Sequence, residues 1–321
     1  MALLRDDPGF ATAINRAAKE LGLHAQFIEK DYWVTEALRS LHRDFAAHFI
    51  FKGGTSLSKG YGLIERFSED IDILVVADAN SSAHQREAKL LRITETVSRS
   101  LELPHVEKRQ PGRGRDAHRA DLLTYKPAVP QSIQTGLDEG GILLETGFAG
   151  GREPSEMVEI GTMLCTPLNI DPAEFDDTTT FEVRALEPVR TLLEKVCGLH
   201  HLASQMLEDP AREVPRCGRH YWDIGRLLGD PMVRKKLRDR DAFVELLADV
   251  EQVSVRNFGG STPRPDGGFA RSPAFEPPAE IRNQLEALYN AASVLMPAVG
   301  NGAWPGFGSI LKRIGGSTDL L

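Results

Sequence analysis

The chain has 321 residues, of which 41% are hydrophobic and 26% are charged, and its formal net charge at pH 7 is −8. This composition is ordinary for a globular protein and argues against wholesale disorder, and no apolar run approaches the ~20 residues needed to cross a bilayer. Because nucleic-acid-binding proteins usually carry a basic surplus, any contact with RNA or DNA must come from local basic segments.

The first half of the chain predicts an α/β core. Apolar residues at helical spacing indicate two helices within the first ~45 residues and further helices over 57–64 and 82–101. Apolar and β-branched runs indicate strands over 48–51, 71–76, 122–125, 141–146 and, more weakly, 158–160. Glycines predict a turn over 53–56 and, together with arginines, a loop over 108–119.

The second half predicts a different architecture. From about Val189 onward the apolar spacing is helical, apart from a Gly/Pro-rich segment over 257–278 that we expect to be an ordered loop or a mobile flap. We therefore predict an α+β fold, with an α/β core over residues 1–185 and a helical domain over 186–321. At ~150 residues per domain, the length is consistent with two domains.

The N-terminus and the cysteines favour a cytoplasmic protein. Asp6 and Asp7 precede any apolar stretch, which is unlike a secretory signal. The three cysteines, Cys165, Cys197 and Cys217, are far apart and form no Cys-x-x-Cys pair. The sequence therefore predicts neither a disulfide framework nor a thiolate zinc site, and it is suited to a reducing compartment.

The most informative segment joins a glycine turn to two aspartates. A predicted strand runs into Gly53-Gly54-Thr55-Ser56, and after a short helix the chain reaches Asp70-Ile71-Asp72 at the start of the next strand. Because successive strand side chains alternate between faces, Asp70 and Asp72 share one face while Ile71 points into the core. Two carboxylates ~7 Å apart repel each other, and a hard divalent cation such as Mg²⁺ removes that cost.

The glycine pair suits a triphosphate. Glycine lets the backbone approach phosphates closely and present N–H groups to them, and Thr55 and Ser56 can add hydroxyl donors. The segment therefore predicts a site for a metal-bound nucleoside triphosphate (NTP). A P-loop is excluded, because Ser58 stands where that motif needs glycine and Gly60 where it needs Ser or Thr.

Other residues are candidate metal ligands. A third carboxylate on a neighbouring strand would complete a two-metal site for in-line nucleotidyl transfer. Glu145, inside an apolar run, is the best candidate and Glu159 is the second; the alternative for Glu145 is an ordinary surface glutamate on a strand. Histidines are also possible metal ligands, and the chain has three in its second half that we considered: His200, His201 and His220. The adjacent pair diverges on a helix, so we expect structural or phosphate-contact roles instead of metal ligation.

At this point the residues match a family. The segment FKGGTSLSKGYGLIERFSEDIDILV, residues 51–75, resembles the first motif of the AbiEii/AbiGii toxin family of nucleotidyltransferases, which includes the MenT-type toxins and belongs to the DNA polymerase β-like superfamily. Weaker matches follow the family order and are found at residues 29–33, 143–145, 190–195 and 219–223. The resemblance covers roughly residues 25–230 and implies a nucleotidyltransferase-type mixed sheet flanked by helices, with a helical C-terminal half.

The resemblance also implies roles for individual residues. Asp70 and Asp72 would hold Mg²⁺, with Glu145 as a third ligand. The nucleotide-binding residues would be Gly53, Gly54, Thr55, Ser56, Lys59 and Ser68. Lys195 would contact the phosphates and neutralise charge on the leaving pyrophosphate. Asp223 would act as general base, or orient the attacking hydroxyl or the lysine. Without the resemblance, Lys195 reads as a solvated lysine and Asp223 as a surface acid paired with Arg219 or Arg226.

Members of this family are toxins of toxin–antitoxin or phage-defence pairs, which implies an antitoxin encoded nearby. The best understood add nucleotides, often pyrimidines, to the tRNA 3′ end and so block aminoacylation. Two basic clusters are candidate phosphate contacts, although solvated charge explains each of them equally well. They are Lys108, Arg109, Arg113, Arg115, Arg119 and Lys126, and Arg234, Lys235, Lys236, Arg238 and Arg240. A protein hydroxyl or a small molecule as acceptor, or nucleotide binding without turnover, remains an alternative.

Overall fold

The structure is a computed structural model that describes residues 2–66, 70–76, 80–107, 117–131, 140–215, 217–257, 260–295, 304–317 and 320–321. Several candidates for ligand contact lie outside these described residues, namely Ser68, Lys108, Arg109, Arg113 and Arg115.

The described residues form one seven-stranded mixed sheet. Its strands are β1 (Phe49–Lys52), β2 (Asp70–Val75), β3 (His105–Glu107), β4 (His118–Thr124), β5 (Gly141–Gly147), β6 (Ser155–Ile160) and β7 (Phe181–Leu186). Their order is β3-β4-β5-β2-β1-β7-β6. β1 is antiparallel to β2 and parallel to β7, while β2 is parallel to β5. The strand that begins with the two aspartates therefore lies at the centre of the sheet.

The described residues also form eleven α-helices. They are α1 (Phe10–Leu21), α2 (Ala25–Phe45), α3 (Gly53–Thr55), α4 (Ala83–Leu101), α5 (Cys165–Leu168), α6 (Pro188–Glu208), α7 (Arg219–Leu227), α8 (Pro231–Arg238), α9 (Arg240–Asn257), α10 (Ala279–Ala291) and α11 (Phe307–Gly315). A mixed sheet with helices of this number is an α+β fold, so the predicted fold class is confirmed.

Local sequence signals explain where two of these helices begin. The Ser82 side chain accepts a hydrogen bond from the backbone N–H of Gln85, and the Gln85 side chain accepts one from the N–H of Ser82. This reciprocal pair satisfies two N–H groups at the start of α4. At α8 the Asp230 carboxylate accepts the N–H groups of Met232 and Val233, and proline occupies the first helical position.

Several element predictions were wrong in detail. The helix predicted over 57–64 begins at Gly53, and its helical backbone ends at Gly60 after a π-helical stretch from Ser56. The predicted loop over 108–119 gives way to β4 at His118. β3 and β7 were missed. In β7 the charged residues Glu182 and Arg184 interrupt the apolar run, and these are exposed positions of a strand whose other face is buried.

Packing of one sheet face produces the core of the first part of the chain. Ile71, Ile73 and Val75 of β2 are almost completely buried in one cluster with residues of α1, α2 and α4. Full burial of each such side chain contributes ~1.5–3 kcal/mol. On the other face Leu74 packs with Ile50 and Leu186 in a much smaller cluster. Because side chains alternate along β2, Asp70 and Asp72 lie on the same face as Leu74, which is the face with fewer buried residues.

The chain divides into two compact units, the first ending at Leu186 and the second beginning at Glu187. The first contains the sheet with α1 to α5, and the second contains α6 to α11. Tyr221, Tyr289 and Phe307 form an aromatic cluster in the second unit, with ring centroids 5.2–6.1 Å apart. In the described ranges, no helix is both long and apolar enough to cross a membrane.

Candidate active site

The glycine turn and the β2 aspartates are in direct contact. Asp70 and Asp72 are half-buried and project from the same face of β2. Gly53 has φ +76°, and a Cβ added to it would lie 2.0 Å from Oδ2 of Asp72. The Asp72 carboxylate therefore lies against the glycine backbone, and both the φ angle and this contact require glycine at position 53. The turn and the acidic pair form one site.

The two hydroxyls predicted to bind phosphate stabilise this turn in the structure. The Thr55 hydroxyl donates to the backbone carbonyl of Asp70, and the Ser56 hydroxyl donates to the carbonyl of Gly53 at 2.9 Å. Both residues are buried. Thr55 thereby connects the start of the helical segment to the first residue of β2. Contact between these hydroxyls and a phosphate stays a prediction.

The sheet register separates the two candidates for a third carboxylate. Glu145 of β5 lies directly beside Asp72 in the parallel β2–β5 pair, so both side chains leave the same face. Glu159 lies on β6, which is three strands from β2 and therefore ~14 Å away at the usual spacing. There it pairs in register with Glu182, and it accepts a hydrogen bond from the Thr180 hydroxyl. Glu145 is the candidate that adjoins the aspartates.

The donor set fits Mg²⁺. This ion is held in phosphoryl-transfer enzymes by one or two carboxylates together with substrate phosphates and water. Asp70 and Asp72 supply two carboxylates, and that of Asp72 lies against the Gly53 backbone. Among the residues that the structure describes, no group of three or more His, Cys, Asp or Glu side chains is already arranged around a metal position. The fit therefore depends on the two aspartates.

Lys59, predicted to bind nucleotide, has an intramolecular partner. Its Nζ lies 2.6 Å from Oδ1 of Asp31 and donates to the Gly161 carbonyl at 2.9 Å. The other carboxylate oxygen of Asp31 accepts the N–H of Met163 at 2.8 Å. Asp31 of α2 thus holds the end of the helical segment that follows the glycine turn. Contact between Lys59 and a nucleotide would have to compete with this ion pair.

In the second unit, Lys195 and Asp223 form a buried ion pair. Lys195 Nζ on α6 lies 3.0 Å from Oδ2 of Asp223 on α7. The Lys195 side chain is 9% exposed and the Asp223 side chain is fully buried. The alternatives of a solvated lysine and a surface acid were therefore wrong. Of the three roles considered for Asp223, orienting the lysine is the one this contact favours.

All three cysteines are free thiols. Cys217 precedes α7, and burial raises the pKa of its thiol to about 11, although the charges of Arg219 and Lys195 act in the opposite direction. Burial also raises the pKa of Cys197 to about 12. Both thiols therefore stay protonated at neutral pH and are poor nucleophiles.

The adjacent histidines have structural contacts. His200 is buried, its Nε2 lies 3.0 Å from the Pro263 carbonyl, and its Nδ1 lies 2.9 Å from the Ser272 hydroxyl. Because a carbonyl only accepts, Nε2 carries the proton and Nδ1 accepts from the serine. His201 Nδ1 contacts the Thr262 hydroxyl at 2.9 Å. These two residues connect α6 to the Gly/Pro-rich segment, which confirms a structural role.

We expect His200 to make stability depend on pH. Burial lowers the pKa of His200 below its ordinary value of 6.5, so the unfolded chain takes up a proton first as the pH falls. The stabilising contribution is therefore complete above pH 6.5 and is lost below it, by up to ~1.4 kcal/mol per pH unit. The free energy of unfolding, measured with urea from pH 8 to 5, should depend less steeply on pH for His200→Gln than for wild type. His84→Gln, at an exposed position, should keep the wild-type dependence on pH. The same pH dependence of the free energy of unfolding in all three proteins would contradict the prediction.

In the first basic cluster, one of the two described residues is already paired. Arg119 forms ion pairs with Asp121 at 2.8 Å and Glu107 at 3.1 Å, and its side chain is 13% exposed. Lys126 is exposed. Arg119 therefore contributes to the edge of the sheet and is not available to phosphate.

The second basic cluster is also partly used within the chain. Arg234 donates to a backbone carbonyl at 3.1 Å, Arg240 donates to another at 3.2 Å, and Lys236 forms an ion pair. Lys235 and Arg238 of α8 are exposed. The surface available to a nucleic acid on α8 is thus smaller than the sequence predicts.

A residue that the sequence reasoning missed lies beside the acidic pair. Lys52, the last residue of β1, is the register partner of Asp72 across the antiparallel β1–β2 pair. Its partly exposed side chain therefore shares the face that carries Asp72 and Glu145. The available signal was its position immediately before Gly53 in a strand whose residues alternate between faces.

Comparisons with known proteins bear on the family and the fold of the chain. The profile of the family described as nucleotidyl transferase AbiEii toxin, type IV toxin–antitoxin system, matches residues 36–307. Among solved structures, the chain is similar to MenT4, a nucleotidyltransferase toxin from Mycobacterium tuberculosis H37Rv, with 15% identity and a TM-score of 0.59. That similarity covers 97% of this chain and 88% of MenT4, and it concerns the fold. No curated protein sequence matches significantly.

Proposed function

The chain belongs to the AbiEii family of nucleotidyltransferase toxins, and on this premise we propose that it transfers a nucleoside monophosphate, preferably a pyrimidine, from an Mg²⁺-bound NTP to the 3′ end of tRNA. The reaction would block aminoacylation in the cytoplasm unless a cognate antitoxin prevents it. The contact of Asp72 with the Gly53 turn is the observation that carries the proposal, because it joins a metal-binding acid to a phosphate-binding backbone.

The residues of the first unit would bind and orient the NTP. Asp70 and Asp72, with Glu145 beside Asp72, would hold Mg²⁺, which neutralises charge on the triphosphate. The backbone of Gly53 and Gly54 would approach the phosphates. The acceptor hydroxyl oxygen forms a bond to the α-phosphorus while the bond from that phosphorus to the bridging oxygen breaks. Pyrophosphate leaves with the bonding electrons, and the hydroxyl proton passes to water.

Lys195 and Asp223 would serve the leaving group. In this proposal the Lys195 ammonium contacts the phosphates and compensates the charge that develops on pyrophosphate. Asp223, held 3.0 Å from Lys195 Nζ, keeps that ammonium protonated and fixed in position.

The cations of the basic clusters bear on the choice of acceptor. Lys126, Lys235 and Arg238 are exposed cations that suit contact with an RNA backbone. A second candidate is a protein hydroxyl or small-molecule acceptor, and it is favoured by the intramolecular partners of Arg119, Lys236 and other cations of the basic clusters.

A transfer assay with four labelled NTPs, Mg²⁺ and total tRNA tests the proposal. We expect label on tRNA with CTP or UTP, little with ATP or GTP, and none when Mg²⁺ is chelated. Oxidising the terminal diol of the tRNA with periodate beforehand should abolish labelling, because it removes the attacking hydroxyl. If no NTP labels RNA, the tRNA acceptor is wrong, and label on protein or on a small molecule would support the second candidate.

A further inference from the structure

A lysine and two carboxylates form one row across three neighbouring strands. In register, Lys52 of β1 lies beside Asp72 of β2, and Asp72 lies beside Glu145 of β5. Directly opposed residues of an antiparallel pair have Cβ atoms ~4.5–5.5 Å apart and project from the same face. Asp72 therefore has a lysine as its neighbour on one strand and a glutamate as its neighbour on the other, and all three side chains leave the same face of the sheet.

Lys52 lies next to the acidic residues of the candidate site and forms no ion pair with a carboxylate of the described chain. Lys59, Lys195 and Lys236 each form an ion pair with a carboxylate. Within the described ranges, Lys52 is not part of such a pair, and its side chain is partly exposed. Lys52 is thus the register neighbour of Asp72, and its ammonium remains available for a further anion.

The charges in this row have opposite effects on two ligands. A cation beside Asp72 repels a metal ion that arrives alone, and it attracts the phosphates of a nucleotide. Lys52 is also joined directly to Gly53, the residue whose backbone adjoins the Asp72 carboxylate. An anion held at the glycine turn therefore lies next to both the Lys52 ammonium and the metal-binding acid.

We propose that Lys52 binds the NTP triphosphate and partly compensates Asp72 before nucleotide arrives, so that metal enters the site together with the nucleotide. This inference rests on the proposed function, because it requires the Asp72 site to bind metal and NTP. It adds a binding residue and an order of binding: metal alone binds weakly, and the metal–nucleotide complex binds well.

The test measures the two affinities separately in the full chain. Binding of Mn²⁺ alone is followed by electron paramagnetic resonance, and binding of a CTP analogue with a non-cleavable α,β-methylene bond is followed by calorimetry in saturating Mg²⁺. For Lys52→Met we expect the analogue to bind about tenfold more weakly and Mn²⁺ to bind several-fold more tightly. Lys52→Arg, which keeps the charge, should resemble wild type in both measurements.

Arg184→Met is the matched control, because Arg184 is an exposed cation on the same sheet face of β7. It should change neither affinity. A damaged fold would weaken the binding of both Mn²⁺ and the analogue, so affinities that change in opposite directions in Lys52→Met cannot be explained by misfolding. If both affinities fall together, or the analogue binds Lys52→Met as tightly as wild type, the inference is wrong while the proposed function stands. If wild type binds no NTP analogue, the proposed function itself fails.

Discussion

The Asp72→Asn variant is expected to lose nucleotidyl transfer by about a thousandfold or more while keeping its fold. Asparagine has the shape of aspartate, so the contact with the Gly53 backbone is retained. It lacks the charge that a hard cation requires, and the metal and the triphosphate would no longer be held together. Because the Asp72 side chain is half-buried, we expect the free energy of unfolding of the variant to differ from wild type by less than ~1 kcal/mol.

The measurement combines transfer to tRNA with urea unfolding. Glu145→Gln should also lose activity, since Glu145 lies beside Asp72, whereas Glu159→Gln should retain it from a position three strands away. Expression of wild type should arrest growth and that of Asp72→Asn should not. An Asp72→Asn protein that keeps a tenth of wild-type transfer, or a Glu159→Gln protein that loses as much as Asp72→Asn, would contradict the assignment.

The local part of this site could be predicted from the sequence, because it depends on short-range rules. Alternation along β2 places Asp70 and Asp72 on one face and Ile71 in the core, whatever the rest of the fold does. The choice of Glu145 over Glu159 could not be made in this way. It depends on the register of β2 with β5, two strands that are far apart in the chain and are brought together by tertiary packing.

Charge pairing was the least predictable feature. Lys59 and Asp31 are separated by 27 intervening residues, and their contact needs α2 to pack beside the glycine turn. Asp121 lies two residues after Arg119 on the same face of β4, and the β3–β4 pairing adds Glu107 from the neighbouring strand. A sequence shows which residues carry charge, but only the fold shows which charges are already compensated.

Lys195→Met and Asp223→Asn should each reduce transfer by at least about a hundredfold and destabilise the second unit by ~3 kcal/mol. Each change removes one charge of a buried ion pair, since the Lys195 side chain is 9% exposed and the Asp223 side chain is fully buried. The remaining charge then loses the attraction that offsets its desolvation. Activity and stability are therefore lost together in the single variants, and these alone do not separate a catalytic role from a structural one.

The double variant Lys195→Met/Asp223→Asn separates the two roles. With both charges removed, neither is left uncompensated, so urea unfolding should show a free energy closer to wild type than that of either single variant. Transfer should remain as low as in Lys195→Met, because the ammonium that would neutralise the leaving pyrophosphate is still missing. Recovery of transfer along with stability would mean that this ion pair only supports the fold, and that the charge on pyrophosphate is compensated by other residues.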